Sequence, residues 1–84
     1  MPEKTVERTQ TGVRLEKSLL KVLKGLAEYC NMSLGDLLEG IVLHSFEGKA
    51  PFSETTLATI ADLKKIYNCK LTAADSHTLR EGPE

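Results

Sequence analysis

Residues 9–15 read Thr9-Gln10-Thr11-Gly12-Val13-Arg14-Leu15. The stretch alternates. Thr11, Val13 and Leu15 share one face, and Gln10, Gly12 and Arg14 share the other, with Arg8 extending it. A period of two is that of a strand, and Thr and Val suit a pleated backbone. Nothing else in the chain reads this way. Residues 1–8 are polar and charged and form a flexible N-terminal arm in this reading.

From Lys17 the period becomes helical. Leu19, Val22, Leu23, Leu26 and Cys30 recur at i, i+3, i+4 spacing, with Leu20 and Ala27 widening the stripe. Asn31 stands where this helix should stop, because Asn tolerates the left-handed conformation. Ser33 is placed to cap a second helix, with Asp36 three residues on as a variant of the capping box. Leu34, Leu37, Leu38, Ile41, Val42 and Phe46 make its apolar stripe, Gly48 closes it and Pro51 prevents continuation. Gly40 inside that stripe reads either as a tolerated weakness or as a point of close helix approach. Ser53 or Thr55 caps a third helix through Leu57, Ile60, Leu63, Ile66 and Tyr67, ending near Asn68. Thr72 with Asp75 caps a last short turn, and the tail REGPE should fray.

A single strand cannot satisfy its own backbone. A second strand within residues 1–8 would need a turn, and Glu7–Gln10 holds no Gly or Pro to make one. An unpaired strand is a template for another chain. The economical expectation is a homodimer, with residues 9–15 pairing antiparallel to their copy about a two-fold axis. The polar face is then presented twice, as a two-stranded ribbon of the kind that B-DNA's major groove admits. Gln can contact adenine in bidentate fashion and Arg guanine. Gln10 and Arg14 are two pleats apart, roughly 13 Å.

Residues 9–48 resemble the ribbon-helix-helix proteins, dimeric DNA-binding regulators of the MetJ and Arc type. The resemblance covers about half the chain and runs in order: an alternating strand ending VRL, a helix KSLLKVLKGLAEYC, the turn NMS, and a helix LGDLLEGIVLHSF. It implies a mainly α fold with one short strand, an intertwined homodimer with an intermolecular antiparallel β-ribbon, and here a C-terminal helical extension. It implies base contacts from Gln10, Gly12 and Arg14. It implies a phosphate clamp at the start of the second helix, at Ser33, Leu34 and Gly35, and a helix N-terminus is a ready anion site. Arg8 and Lys17 join them as expected phosphate contacts. Val13, Leu15, Leu19, Leu23, Leu26, Leu37, Leu38, Ile41 and Val42 are the expected dimer core. Two positions depart from the family pattern: Gly12 has no side chain at the middle reading position, and Asn31 stands where Gly is common.

Length and composition set the frame. Eighty-four residues suffice for one small domain. A domain this small has a thin core, which a partner subunit would supplement. The net charge of −1 does not announce a nucleic-acid binder, but it is unevenly spread. Residues 1–26 carry six basic and three acidic side chains, and residues 27–84 carry five and nine. Cys30 and Cys69 are too far apart to suggest a disulfide framework and read as reduced thiols. The opening MPEKTVERTQ has no apolar run, so no signal peptide is expected, and no stretch is apolar enough for a membrane span. The expected location is the cytoplasm, with no membrane partner.

Cys30, Cys69, His44 and His77 lack metal-ligand spacing, so neither a metal nor another cofactor is expected. Catalytic constellations and phosphate loops are missing from the sequence, and an enzyme is not expected. The chain divides into a flexible arm (1–8), a ribbon-helix-helix domain (9–48) and a helical extension (49–84). The expected function is sequence-specific binding of double-stranded DNA as a transcriptional regulator, a repressor in particular. The alternatives are a dimeric interaction module of the same fold without DNA binding, or the antitoxin of a toxin–antitoxin pair. Residues 50–84 could bind a protein partner.

Overall fold

The computed structural model describes residues 3–82. The expected arm and fraying tail extend to positions 1, 2, 83 and 84, which lie outside the described residues. Three helices follow an extended N-terminal segment: α1 (Lys17–Tyr29), α2 (Leu34–Phe46) and α3 (Glu54–Ile66), with a 3₁₀ turn at Ala73–Asp75. α1 packs on both α2 and α3.

The helices form where the periodicity placed them because each end is chemically fixed. The Glu16 carboxylate accepts from the backbone N–H of Leu19 (2.9 Å) and Ser18 (3.1 Å), and the Ser18 hydroxyl donates to it at 2.6 Å. These bonds satisfy amides that the first turn of α1 leaves without helical partners. Ser33 Oγ accepts from Asp36 N (3.1 Å), and Ser53 Oγ from Thr56 N (3.2 Å). Each helix then stops on a residue with positive φ: Asn31 (56°), Gly48 (70°) and Asn68 (54°). At all three stops that residue's own amide and the next one turn back onto the last turn. Asn31 donates to Glu28 O and Met32 to Ala27 O; Gly48 donates to Ser45 O and Lys49 to His44 O; Asn68 donates to Lys65 O and Cys69 to Lys64 O. This is the Schellman arrangement, which uses orphan carbonyls at a helix end.

Two corrections concern the strand and the fold built on it. Among the described residues there is no strand and no sheet, and residues 3–16 form no regular element. The expected intermolecular β-ribbon and the ribbon-helix-helix architecture are therefore replaced by a three-helix chain with an extended N-terminal segment. The physical reason is the one that made the strand questionable. Alternation sets which face a strand would bury, but a ladder needs a second backbone. No backbone hydrogen bond joins residues 3–15 to any described part of the chain. The apolar face that was to lie on the helices is open: Val13 is 73% exposed, and Leu15 is also exposed.

The core is small. Val22, Leu26, Ala27, Leu37 and Cys69 are the buried apolar residues, and Leu26 is 1% exposed. Leu23, Cys30, Ile41, Phe52, Ile60 and Leu63 pack around Leu26, Ala27 and Leu37. Of the expected dimer-core residues, Leu26 and Leu37 are buried and Leu23, Leu38 and Ile41 half-buried, whereas Val13, Leu15, Leu19 and Val42 are exposed. The close helix approach is at Gly25, not Gly40. A Cβ at Gly25 would stand 3.1 Å from Leu63 Cδ2 of α3, while one at Gly40 would meet nothing within 4 Å. The Cα radius of gyration is 14.3 Å, above the roughly 12 Å of a compact chain this long. No helix among the described residues is long and apolar enough to cross a membrane.

Candidate functional site

The N-terminal segment runs beside α2. Lys4, Val6 and Arg8 face Leu38, Glu39, Val42 and Leu43 across an open groove of about 600 Å³. Nearer the start of α2, Arg8, Thr9 and Thr11 share a second groove, of about 490 Å³, with Ser33 and Gly35. Three expected phosphate contacts, Arg8, Ser33 and Gly35, thus come together in one place at the start of α2.

The electrostatics of that place are mixed. Glu7, Asp36 and Glu39 line the same groove. The Arg8 guanidinium donates to both carboxylate oxygens of Glu39, Nε to Oε2 at 2.9 Å and Nη2 to Oε1 at 2.8 Å, and lies 3.8 Å from Asp36 Oδ1. The paired hydrogen bonds from Arg8 hold the Glu39 carboxyl below its ordinary value. The same bonds hold the Arg8 guanidinium above its own. At the other end of the segment Arg14 Nη2 donates to Glu81 Oε2 at 2.7 Å. Both pairs are solvent-exposed, and exposed pairs hold their partners weakly.

Gln10, Gly12 and Arg14 are exposed, as are Arg8, Lys17, Ser33 and Gly35, and Leu34 is half-buried. A Cβ at Gly12 would meet nothing within 4 Å among the described residues, so its small size answers to no contact with them. The arrangement offers hydrogen-bond donors on an uncovered extended backbone and cations balanced by nearby carboxylates.

Sequence reasoning missed two features here. The ion pairs Arg8–Glu39 and Arg14–Glu81 join residues 31 and 67 positions apart, and no local pattern signals such pairings. The second is Leu43, left out of the α2 stripe, which is exposed together with Val42 and Phe46 of that stripe; Val42 and Leu43 line the groove beside the N-terminal segment. Its signal was present, since α2 carries apolar residues on more than one face. Compared with known proteins, the chain matches no family model, no curated protein and no solved structure.

Proposed function

We propose that the chain works as a homodimer that binds double-stranded DNA and regulates transcription, acting as a repressor that occupies an operator. The observation that carries this reading is the segment Thr9–Leu15, which is exposed along its whole length and free of backbone partners in the described chain. Its Gln10 and Arg14 are the residue types that contact adenine and guanine edges. Arg8, Ser33 and Gly35, gathered at the start of α2, supply phosphate contacts that fix register without reading sequence.

Self-association rests on the balance of apolar surface. Five apolar side chains are buried, while thirteen large ones are exposed among the described residues. Val6, Val42, Leu43 and Phe46 belong to one side, formed by the N-terminal segment and α2. Covering that side with a second copy would also bring two N-terminal segments into one particle, and so double the contacts available to DNA.

Fluorescence anisotropy tests the reading, with DNA from upstream of the protein's own gene against scrambled competitor at two salt concentrations. Binding should survive competitor and weaken with salt, as phosphate neutralisation requires. Arg14→Ala should weaken specific binding by about 1–3 kcal/mol, the value of one bidentate base contact. Failure of either DNA to bind at low salt would refute the proposal.

One observation favours a second reading, a homodimeric protein-interaction module. Both arginines of the segment are already ion-paired to the chain's own carboxylates, and the net charge is −1. A confirmed dimer that ignores DNA would support that reading.

A further inference from the structure

A half-enclosed cleft of about 450 Å³ lies away from the N-terminal segment, between α1, α3 and the loop that follows α3. That volume falls within the roughly 300–1,000 Å³ of small-molecule sites. Its walls are apolar: Leu23 and Leu26 of α1, Phe52, Ile60 of α3, and Leu71 and Leu79 of the last segment. The cleft exists because residues 69–79 return across α1 and α3. Cys69 is buried beneath that return, and the Lys64 ammonium donates to Leu71 O at 2.6 Å.

Lys64 is the informative residue. It is half-buried and lines the cleft, and a lysine ammonium has three donors. One goes to Leu71 O, and among the described residues no carboxylate lies within ion-pair distance of the other two. Asp75 also lines the cleft, but its Oδ2 accepts from Thr72 N at 2.8 Å and Thr72 Oγ1 at 3.4 Å. His77 stands at the same edge, exposed. An apolar chamber with one incompletely used cation beside it suits a ligand with an apolar body and a single negative head.

We propose that this cleft binds a medium-chain aliphatic monocarboxylate, with the chain against Leu23, Leu26, Phe52 and Ile60 and the carboxylate on Lys64. The site does not depend on DNA binding. It shares no residue with the groove beside α2, so each proposal stands or fails separately. The apolar walls select chain length, and Lys64 selects an acid over a neutral alcohol, since a charge-assisted hydrogen bond is roughly twice as strong as a neutral one.

The test is calorimetric titration of the full chain with octanoate, octan-1-ol and acetate at neutral pH, with amide chemical shifts followed in parallel. Octanoate should bind saturably, one per chain, and shift amides of Leu23, Leu26, Ile60 and residues 71–79. Octan-1-ol should bind about tenfold or more weaker, and acetate should not bind. Lys64→Met should bring octanoate to the affinity of the alcohol. Because the acid-to-alcohol comparison uses the parent chain, it decides even if the variant folds poorly. Lack of saturable octanoate binding would overturn the proposal, as would equal affinity for acid and alcohol, or shifts confined to α2. So would octanoate binding only when copies dissociate, which would show that the cleft is filled by a second chain.

Discussion

Replacing Leu43 and Phe46 together by Gln tests whether the uncovered side of α2 is an interface. Gln has nearly the helix propensity of Leu, so the helix itself should persist. The two side chains are 63% and 82% exposed in the single chain, so their packing within it is slight. Full burial of such a side chain is worth about 1.5–3 kcal/mol. Scaling by the exposed fractions gives about 2–4 kcal/mol available per chain on association. In a two-fold dimer both copies lose it. Even if the partner covers only half of this surface, the dimer should weaken by about 2–4 kcal/mol, a rise in dissociation constant of roughly 30- to 1,000-fold. Sedimentation velocity over a dilution series reads that change directly. The monomer should be nearly unaffected, with urea-unfolding stability within about 0.5 kcal/mol of the parent once both are diluted to monomers. Circular dichroism should show the same helix content. If the double variant associates as tightly as the parent, α2 does not form the interface. If it unfolds, the exposed surface was contributing to the monomer, and the burial argument is wrong.

The other expectations are simpler. Leu26→Ala removes the most deeply buried side chain and should cost about 2–5 kcal/mol, lowering Tm by about 10 °C or more in a domain this small; an unchanged melting curve would remove Leu26 from the core. Ser33→Ala deletes the α2 cap and should cost about 1 kcal/mol in urea unfolding, with faster amide exchange at Asp36. Gly48→Ala places a Cβ at φ +70° and should cost roughly 1 kcal/mol, whereas Gly40→Ala, within open helix, should stabilise by a similar amount. Glu16 and Glu39 are held below the ordinary glutamate value of 4.5, Glu16 first by the Ser18 hydroxyl and Glu39 by Arg8. A lowered folded value means that their stabilisation is complete above 4.5 and is lost as pH falls below it through the folded values. The urea midpoint should therefore drop on acidification in that range, and Glu16→Gln should flatten part of the drop.

Helices were legible because their signals are local. The i, i+3, i+4 stripe of α1, the Ser33 and Ser53 caps and the Asn31 and Gly48 stops each act within one or two turns. Leu26 and Leu37 were expected in a dimer core and are buried within the single chain. Cys69 was not, because its burial depends on the return of residues 69–79 across α1 and α3. Gly40 and Gly25 show the same limit. Sequence marks a glycine as a possible contact point but does not say which helix comes near, and only the α1–α3 crossing decided for Gly25. The alternation of residues 9–15 was a real pattern with an incomplete inference attached. Period two describes side-chain direction, while a strand is defined by the backbone across from it, and the described chain supplies none.

That distinction governs the candidate site. Among the described residues no backbone group claims the donors and acceptors of residues 9–15, and such exposed groups pair with water or with another molecule. The arginines at either end have found provisional ones, Glu39 and Glu81. A DNA phosphate facing Arg8, or a guanine edge facing Arg14, offers Arg a pair of acceptors as a carboxylate does, so the chain's acids and a duplex would compete for the same guanidinium groups. Both acids are exposed and weakly held, so the competition turns on the phosphate charge and on salt. Removing an acid should then strengthen DNA binding. Glu81→Gln lies outside the helices and leaves Arg14 in place, so it should raise affinity severalfold at low salt, and the gain should shrink as salt screens both partners. An interaction module indifferent to DNA would show no such gain. Lower DNA affinity in the Glu81→Gln variant would mean that the pair positions Arg14 for its contact rather than withholding it.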